Sequence, residues 1–187
     1  LLTLSFRAPK AGKEPAVPAP QPHRSAMDEF KVFQTFKQRG EWVELRFMAT
    51  AAERGFCVLK PWGDTRPYDV GIDHGPNFLR VQVKSTSCRT GTGYFCQFKP
   101  HYLKKQDYTL AQIDLFAAYV IPVNAWYIIP AALLLGTERK QGIMLHPVEP
   151  LKRDRYSYEA YKEAWPLLYK SRRALAERVR VHGKSVH

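Results

Sequence analysis

The sequence predicts an α/β layer architecture, and three observations predict it. Apolar residues recur at helical spacing from Phe36 to Arg54. Two segments either side of Gly75 alternate apolar and polar residues with a period of two. Two later runs, Leu115 to Ile121 and Trp126 to Ile129, are apolar almost throughout. Continuous apolar strands are usually buried on both faces, which requires covering helices and disfavours an open antiparallel sheet.

Taken in order, Trp42, Leu45, Met48, Ala49 and Ala52 are expected to form the buried face of the first helix. Gly55 ends it, as a residue free to adopt positive φ, and Phe56 to Leu59 reads as a short buried strand. A turn spans Pro61 to Pro67. Tyr68 to Asp73 and Phe78 to Lys84 then read as antiparallel strands joined through Gly75, Pro76 and Asn77, a hairpin. Gly91 and Gly93 mark a further reversal, across which Cys88 and Cys96 are expected to face each other as reduced thiols, and Tyr94 to Phe98 continues as a strand. The apolar pair is joined through Pro122, Val123 and Asn124, and Pro130 to Leu135 reads as a short helix. Tyr158 to Leu168 reads as an amphipathic helix interrupted by Pro166.

The chain has 187 residues and a 45% hydrophobic content, which suits one catalytic-sized domain with extra material at its ends. Residues 1–26 read as a disordered Pro/Ala-rich leader, with native translation expected at Met27. Residues 27–168 form the domain, and 169–187 a basic tail. A formal charge of +12 favours polyanionic partners, nucleic acid first, because neutralising phosphates releases counterions. The three cysteines, odd in number and without C-x-x-C spacing, argue against a disulfide framework or a zinc ribbon and for a reducing, cytosolic setting. No run approaches the roughly 20 apolar residues that span a bilayer. The histidines show no metal-ligand spacing, so His74, His101 and His146 read as surface or loop residues, and Asp64 and Asp73 as turn residues.

Four residues carry the candidate chemistry. Gln82 and Lys84 lie two apart on one strand, so both side chains leave the same face, while Val81 and Val83 point to the other. Asp69, Gly71 and Asp73 share a face of the preceding strand, and hairpin pairing brings Asp69 beside Gln82. On the helix, Glu44 falls between the Phe47/Ala51 and Met48/Ala52 rows, within the apolar arc. A carboxylate there needs a partner, for which Lys84 or a metal ion can serve. Glu41 is closer to the helix start, where the dipole alone accounts for it. Oxygen ligands converging from neighbouring elements suit a divalent metal that polarises a phosphodiester.

These residues stand in an order that resembles a family. Gly55 to Asp64, then Pro67, Tyr68 and Asp69, then Arg80 to Thr86, with the Glu44 helix ahead of them, resemble the PD-(D/E)XK homing-type endonucleases, including those associated with group I introns. Asp114 to Tyr119 and Trp126 to Pro130 are similar to the same family's closing hairpin, so the resemblance runs from Lys37 to Glu149. Tyr68 departs from the proline of the motif's name. Gln82 replaces the usual acid, a form typical of this branch, and its neutral amide is a poorer metal ligand, which leaves more of the binding to Glu44 and Asp69.

The resemblance implies a restriction-endonuclease-like core, a central mixed β-sheet flanked by helices. It implies DNA cleavage with Mg²⁺, Mn²⁺ substituting, held by Glu44, Asp69 and Gln82, with Lys84 orienting the attacking water and stabilising transition-state charge. It implies a homo-oligomer, dimer or tetramer, on double-stranded DNA. Arg66 beside the centre, Arg80 on the strand of Gln82, and Lys170, Arg172 and Arg173 in the tail are the candidate DNA contacts. Trp62 and Tyr68 beside that centre stack on a base or simply pack. The competing readings are a Holliday-junction resolvase or repair nuclease with the same core, and a DNA-binding module that has lost catalysis. Lys84→Ala is expected to abolish cleavage while sparing DNA binding, which cleavage and gel-shift assays on one duplex distinguish.

Overall fold

Thr35 starts the first helix: its backbone is extended and its hydroxyl accepts the Gln38 N–H at 3.1 Å, which satisfies one of the donors a helix N-terminus leaves open. Helix α1 is Phe36–Glu53. Gly55, at φ 83, reverses the chain after it. In the computed structural model the described residues are 33, 35–63, 65–98, 108–135, 142–148 and 158–175. The leader 1–26, Met27, Asp64, His101, and Arg178, Arg180 and Lys184 of the tail lie outside them.

Eight strands follow among the described residues: β1 (Cys57–Leu59), β2 (Val70–His74), β3 (Asn77–Thr86), β4 (Arg89–Thr90), β5 (Gly93–Gln97), β6 (Leu115–Val120), β7 (Ala125–Pro130) and β8 (Gly142–Leu145). Five form one sheet in the order β1-β2-β3-β6-β7. Only β3 and β6 run parallel there, so the sheet is mixed, with β3 at its centre. The expected hairpin is β2–β3, turning at Gly75, whose φ of 59 suits glycine. The two apolar runs are β6 and β7, buried along their whole lengths. A second, smaller sheet, β4-β5-β8, was not foreseen.

Cross-strand pairing sorts the side chains by face. Val83 pairs with Ala117, Ser85 with Tyr119, and Tyr119 with Trp126, so these share one side of the sheet. That side meets α1: Trp42 lies 6.0 Å from Tyr119, and Phe47 lies 5.5 Å from Trp126 and 5.6 Å from Trp165, ring centre to ring centre. The opposite side carries Gln82, Lys84 and Phe116, where Phe116 meets Phe98 and Tyr108 at 5.9 and 5.8 Å. Both faces are thus covered, as continuous apolar strands require.

Four expectations need correction. The buried row of α1 is Val43, Phe47 and Ala51, while Leu45 is 60% exposed and Ala49 and Ala52 are exposed too; Trp42 and Met48 only border the core. Apolar residues lie on several sides of this helix, so its periodicity leaves the roll angle open. Strand β1 is an edge strand with exposed Cys57 and Leu59, and the buried member of that segment is Phe56. Residues 158–169 form two 3₁₀ turns, Glu159–Tyr161 and Trp165–Tyr169, rather than an α-helix: Glu163 takes a positive φ of 49, and Pro166 has no N–H to donate. They still bury Tyr158, Tyr161, Trp165, Leu167 and Leu168. Cys88 lies opposite Phe95 rather than Cys96, since Arg89 pairs with Tyr94 and the Phe95 N–H donates to the Cys88 carbonyl at 2.9 Å. All three cysteines are free, and burial pushes the Cys96 thiol up to about 12.

His146 also differs from its reading as a surface residue: it is buried, with its ring against Gly93. No helix among the described residues is long and apolar enough to cross a membrane. Phe47→Ala is expected to cost about 3–5 kcal/mol by leaving a cavity among Trp126, Trp165 and the sheet, whereas Leu45→Ala changes stability by less than about 0.5 kcal/mol. Urea denaturation of the two variants measures the difference.

Candidate active site

The register of the β2–β3 hairpin builds the centre. Val70 pairs with Val81, so Asp69, one residue earlier, falls opposite Gln82, and its N–H donates to the Val81 carbonyl at 3.0 Å. The Asp69 Oδ2 accepts two bonds, from the Gln82 side-chain amide at 2.5 Å and from the Val83 N–H at 2.8 Å. Gln82 is buried at 6% exposure. Its amide nitrogen is committed to Asp69, which leaves the amide oxygen as the atom able to act as a ligand. Lys84 follows on the same face and donates from Nζ to the Tyr108 hydroxyl at 3.2 Å, with the ammonium 5.3 Å from that ring's centre.

Glu44 enters from α1, one position from the buried Val43 and three from Phe47, and its side chain is 20% exposed. Its partner is neither Lys84 nor a residue the sequence reading proposed: Lys60, just after β1, donates to Glu44 Oε2 in an ion pair. Glu44 is close enough to Asp69 for its charge to be felt there. Burial first, and the Glu44 charge second, push the Asp69 carboxyl up to about 6, outweighing the Val83 N–H, the Lys84 charge and the Gln82 amide, which pull it down.

This donor set fits a divalent cation. The Asp69 carboxyl, held back from ionising, and the Glu44 carboxylate and Gln82 amide oxygen are hard oxygen donors of the kind a divalent cation takes. No group of three or more His, Cys, Asp and Glu positioned for a metal occurs among the described residues. A site that used Glu44 and Asp69 would draw a further oxygen from a group of another kind, and the Gln82 amide oxygen is the one beside Asp69.

The candidate DNA contacts do not all stand free. Arg80 donates from Nε and Nη2 to both oxygens of Asp114 at 2.9 Å, and its remaining donors reach the carbonyls of Leu110 and Ala111. It braces β3 against the start of β6, and its guanidinium, expected as a DNA contact, is engaged there in the protein alone. Arg172 donates to the same Asp114 at 2.8 Å but remains half exposed. Burial opposes ionisation of Asp114, yet the hydrogen bonds from Arg80 and Arg172 outweigh it and hold the carboxyl below its ordinary value. Lys170 and Arg173 are exposed. Arg66 is exposed on the turn before Asp69, and Trp62 on the same turn is 97% exposed, whereas Tyr68 packs edge-on to Phe78 at 6.0 Å. Sequence reasoning missed Lys60 and Tyr108. Both meet their partners across 16 and 24 residues of chain, which local spacing does not report.

An acid at the mouth of a hairpin stands beside an amide on the next strand of a mixed sheet, with a lysine two residues on and a helix glutamate near enough to act on the acid. The sequence profile described as PD-(D/E)XK endonuclease matches residues 34–165, and the chain belongs to that family. It is accordingly an enzyme that cleaves DNA, and the family uses divalent metal ions. Among solved structures, the bacterial homing endonuclease I-Ssp6803I is similar, with a TM-score of 0.62 and 26% identity over 77% of this chain and 98% of its own. A search of the curated proteins finds no match.

The raised Asp69 carboxyl has a thermodynamic consequence. The folded protein binds this proton more tightly than the unfolded chain, so the associated stability is present below about pH 4 and lost as pH rises through about 6. Full ionisation costs on the order of 2–3 kcal/mol. The metal-free protein is therefore expected to lose stability between pH 4.5 and 7.5 relative to Asp69→Asn, which lacks this titration. Paired urea denaturation curves across that range measure it.

Proposed function

We propose that this endonuclease is a homing-type enzyme that cuts both strands of a specific duplex, with Glu44, Asp69, Gln82 and Lys84 as its catalytic residues. The observation that supports it best is the Asp69 carboxylate, held by Gln82 and Val83 within reach of the Glu44 charge, with Lys84 next on the same face. The similarity to a bacterial homing endonuclease over nearly that protein's whole length adds to it.

In this reading Glu44, Asp69 and Gln82 hold Mg²⁺, or Mn²⁺ in its place. When bound, the cation supplies charge neutralisation at the phosphate and a more acidic water. The chain's own residues do the rest. Tyr108 keeps the Lys84 ammonium at the centre, where it orients the water that attacks phosphorus and offsets the negative charge that develops there. Gln82 and the Val83 N–H fix the Asp69 carboxylate, so the ligand geometry precedes substrate.

Residues 27–168 act as the nuclease domain. Arg66, with Lys170, Arg172 and Arg173 of the basic segment 169–187, supplies phosphate contacts, and the formal charge of +12 supplies the sequence-independent affinity. A target long enough to be specific needs more contact surface than one such domain presents, so the enzyme works as a homo-oligomer, in the bacterial cytoplasm on the nucleoid.

The test is cleavage of a pool of randomised linear duplexes and of a four-way junction, with Mg²⁺ or EDTA, by the wild type and Asp69→Ala. The expected result is Mg²⁺-dependent cutting of a linear subset, reduced at least about 10³-fold in the variant. Cutting confined to the junction would instead indicate a resolvase, and binding without cutting would indicate a DNA-binding module.

A further inference from the structure

Lys60 occupies a place that the centre's chemistry does not use. It lies just beyond the edge strand β1, and its ammonium forms an ion pair with Glu44 Oε2. The two partners differ in freedom: the Glu44 side chain is 20% exposed, against 49% for Lys60. Glu44 sits on α1 between residues anchored in the core, whereas Lys60 extends from the rim of the sheet on a flexible stem with water beside it. If one member of the pair is to move, it is Lys60.

We infer that Lys60 is a built-in counter-ion that holds Glu44 in the metal-free enzyme and must leave it when a divalent cation binds. The inference rests on the reading of Glu44 as a metal ligand. A cation on Glu44 and the Lys60 ammonium compete for the same carboxylate, and they repel each other at that range. The pair thereby gives Glu44 a partner of opposite charge before metal arrives, and it raises the metal concentration the enzyme needs. Lys60 is a positioning residue in this scheme, acting through Glu44 rather than on the phosphate.

The experiment is Mn²⁺ binding to the full chain without DNA, followed by electron paramagnetic resonance of the free ion, for wild type, Lys60→Met, Lys60→Arg and Glu44→Gln. Methionine keeps the apolar length of lysine without its charge, and the half-exposed position tolerates it. The expected result is a Kd about tenfold lower in Lys60→Met, little changed in Lys60→Arg, and strongly raised in Glu44→Gln. An unchanged or higher Kd in Lys60→Met, with binding lost in Glu44→Gln, overturns the counter-ion role and leaves the metal site standing. Binding that is indifferent to Glu44→Gln overturns both, because Glu44 is then no ligand.

Discussion

Residue pairing in one β-hairpin constrains everything else at the centre. With Val70 opposite Val81, Asp69 meets Gln82 and its Oδ2 reaches the Val83 N–H. A slip of one residue would send Gln82 and Lys84 to the side where α1 packs, and Val81 and Val83 to the other. Burial of both valines makes that slip costly, so the apolar face of β3 guards the polar one. The turn at Gly75 sets the register, and the glycine is there because a positive φ is needed.

The hairpin also creates the centre's electrostatic problem. Asp69 is desolvated by the sheet and approached by Glu44 from α1, and two hydrogen bonds and the Lys84 charge do not fully compensate it. Such frustration is a cost that a purely structural site would avoid. The family uses divalent cations, and a cation bound beside two such acids would offset their repulsion.

A second charged cluster does the opposite work. Asp114, fixed by the backbone and side chain of Arg80 and by Arg172, is fully compensated, and its carboxyl is held low. It ties β3 to β6, the one parallel pair in the main sheet, and draws the start of the basic segment onto the domain. The contrast between Asp69 and Asp114 is one between an acid whose burial is left uncompensated and one whose burial is fully compensated.

The sequence by itself determined the order of the main elements and which residues of the central strands alternate to which face. The helix ending at Gly55, the β2–β3 hairpin, the two buried apolar strands and the neighbourhood of Asp69, Gln82 and Lys84 were all legible in it, because periods of two and 3.6 residues act over a few positions and leave their mark locally. The tertiary structure alone decided the roll of α1 onto Val43, Phe47 and Ala51, the second sheet, and the choice of partners: Lys60 for Glu44, Tyr108 for Lys84, Asp114 for Arg80. A charged side chain has many candidate partners of the opposite sign along the chain. Which one it meets depends on how whole elements pack, and that is settled by the summed burial of side chains far apart in sequence.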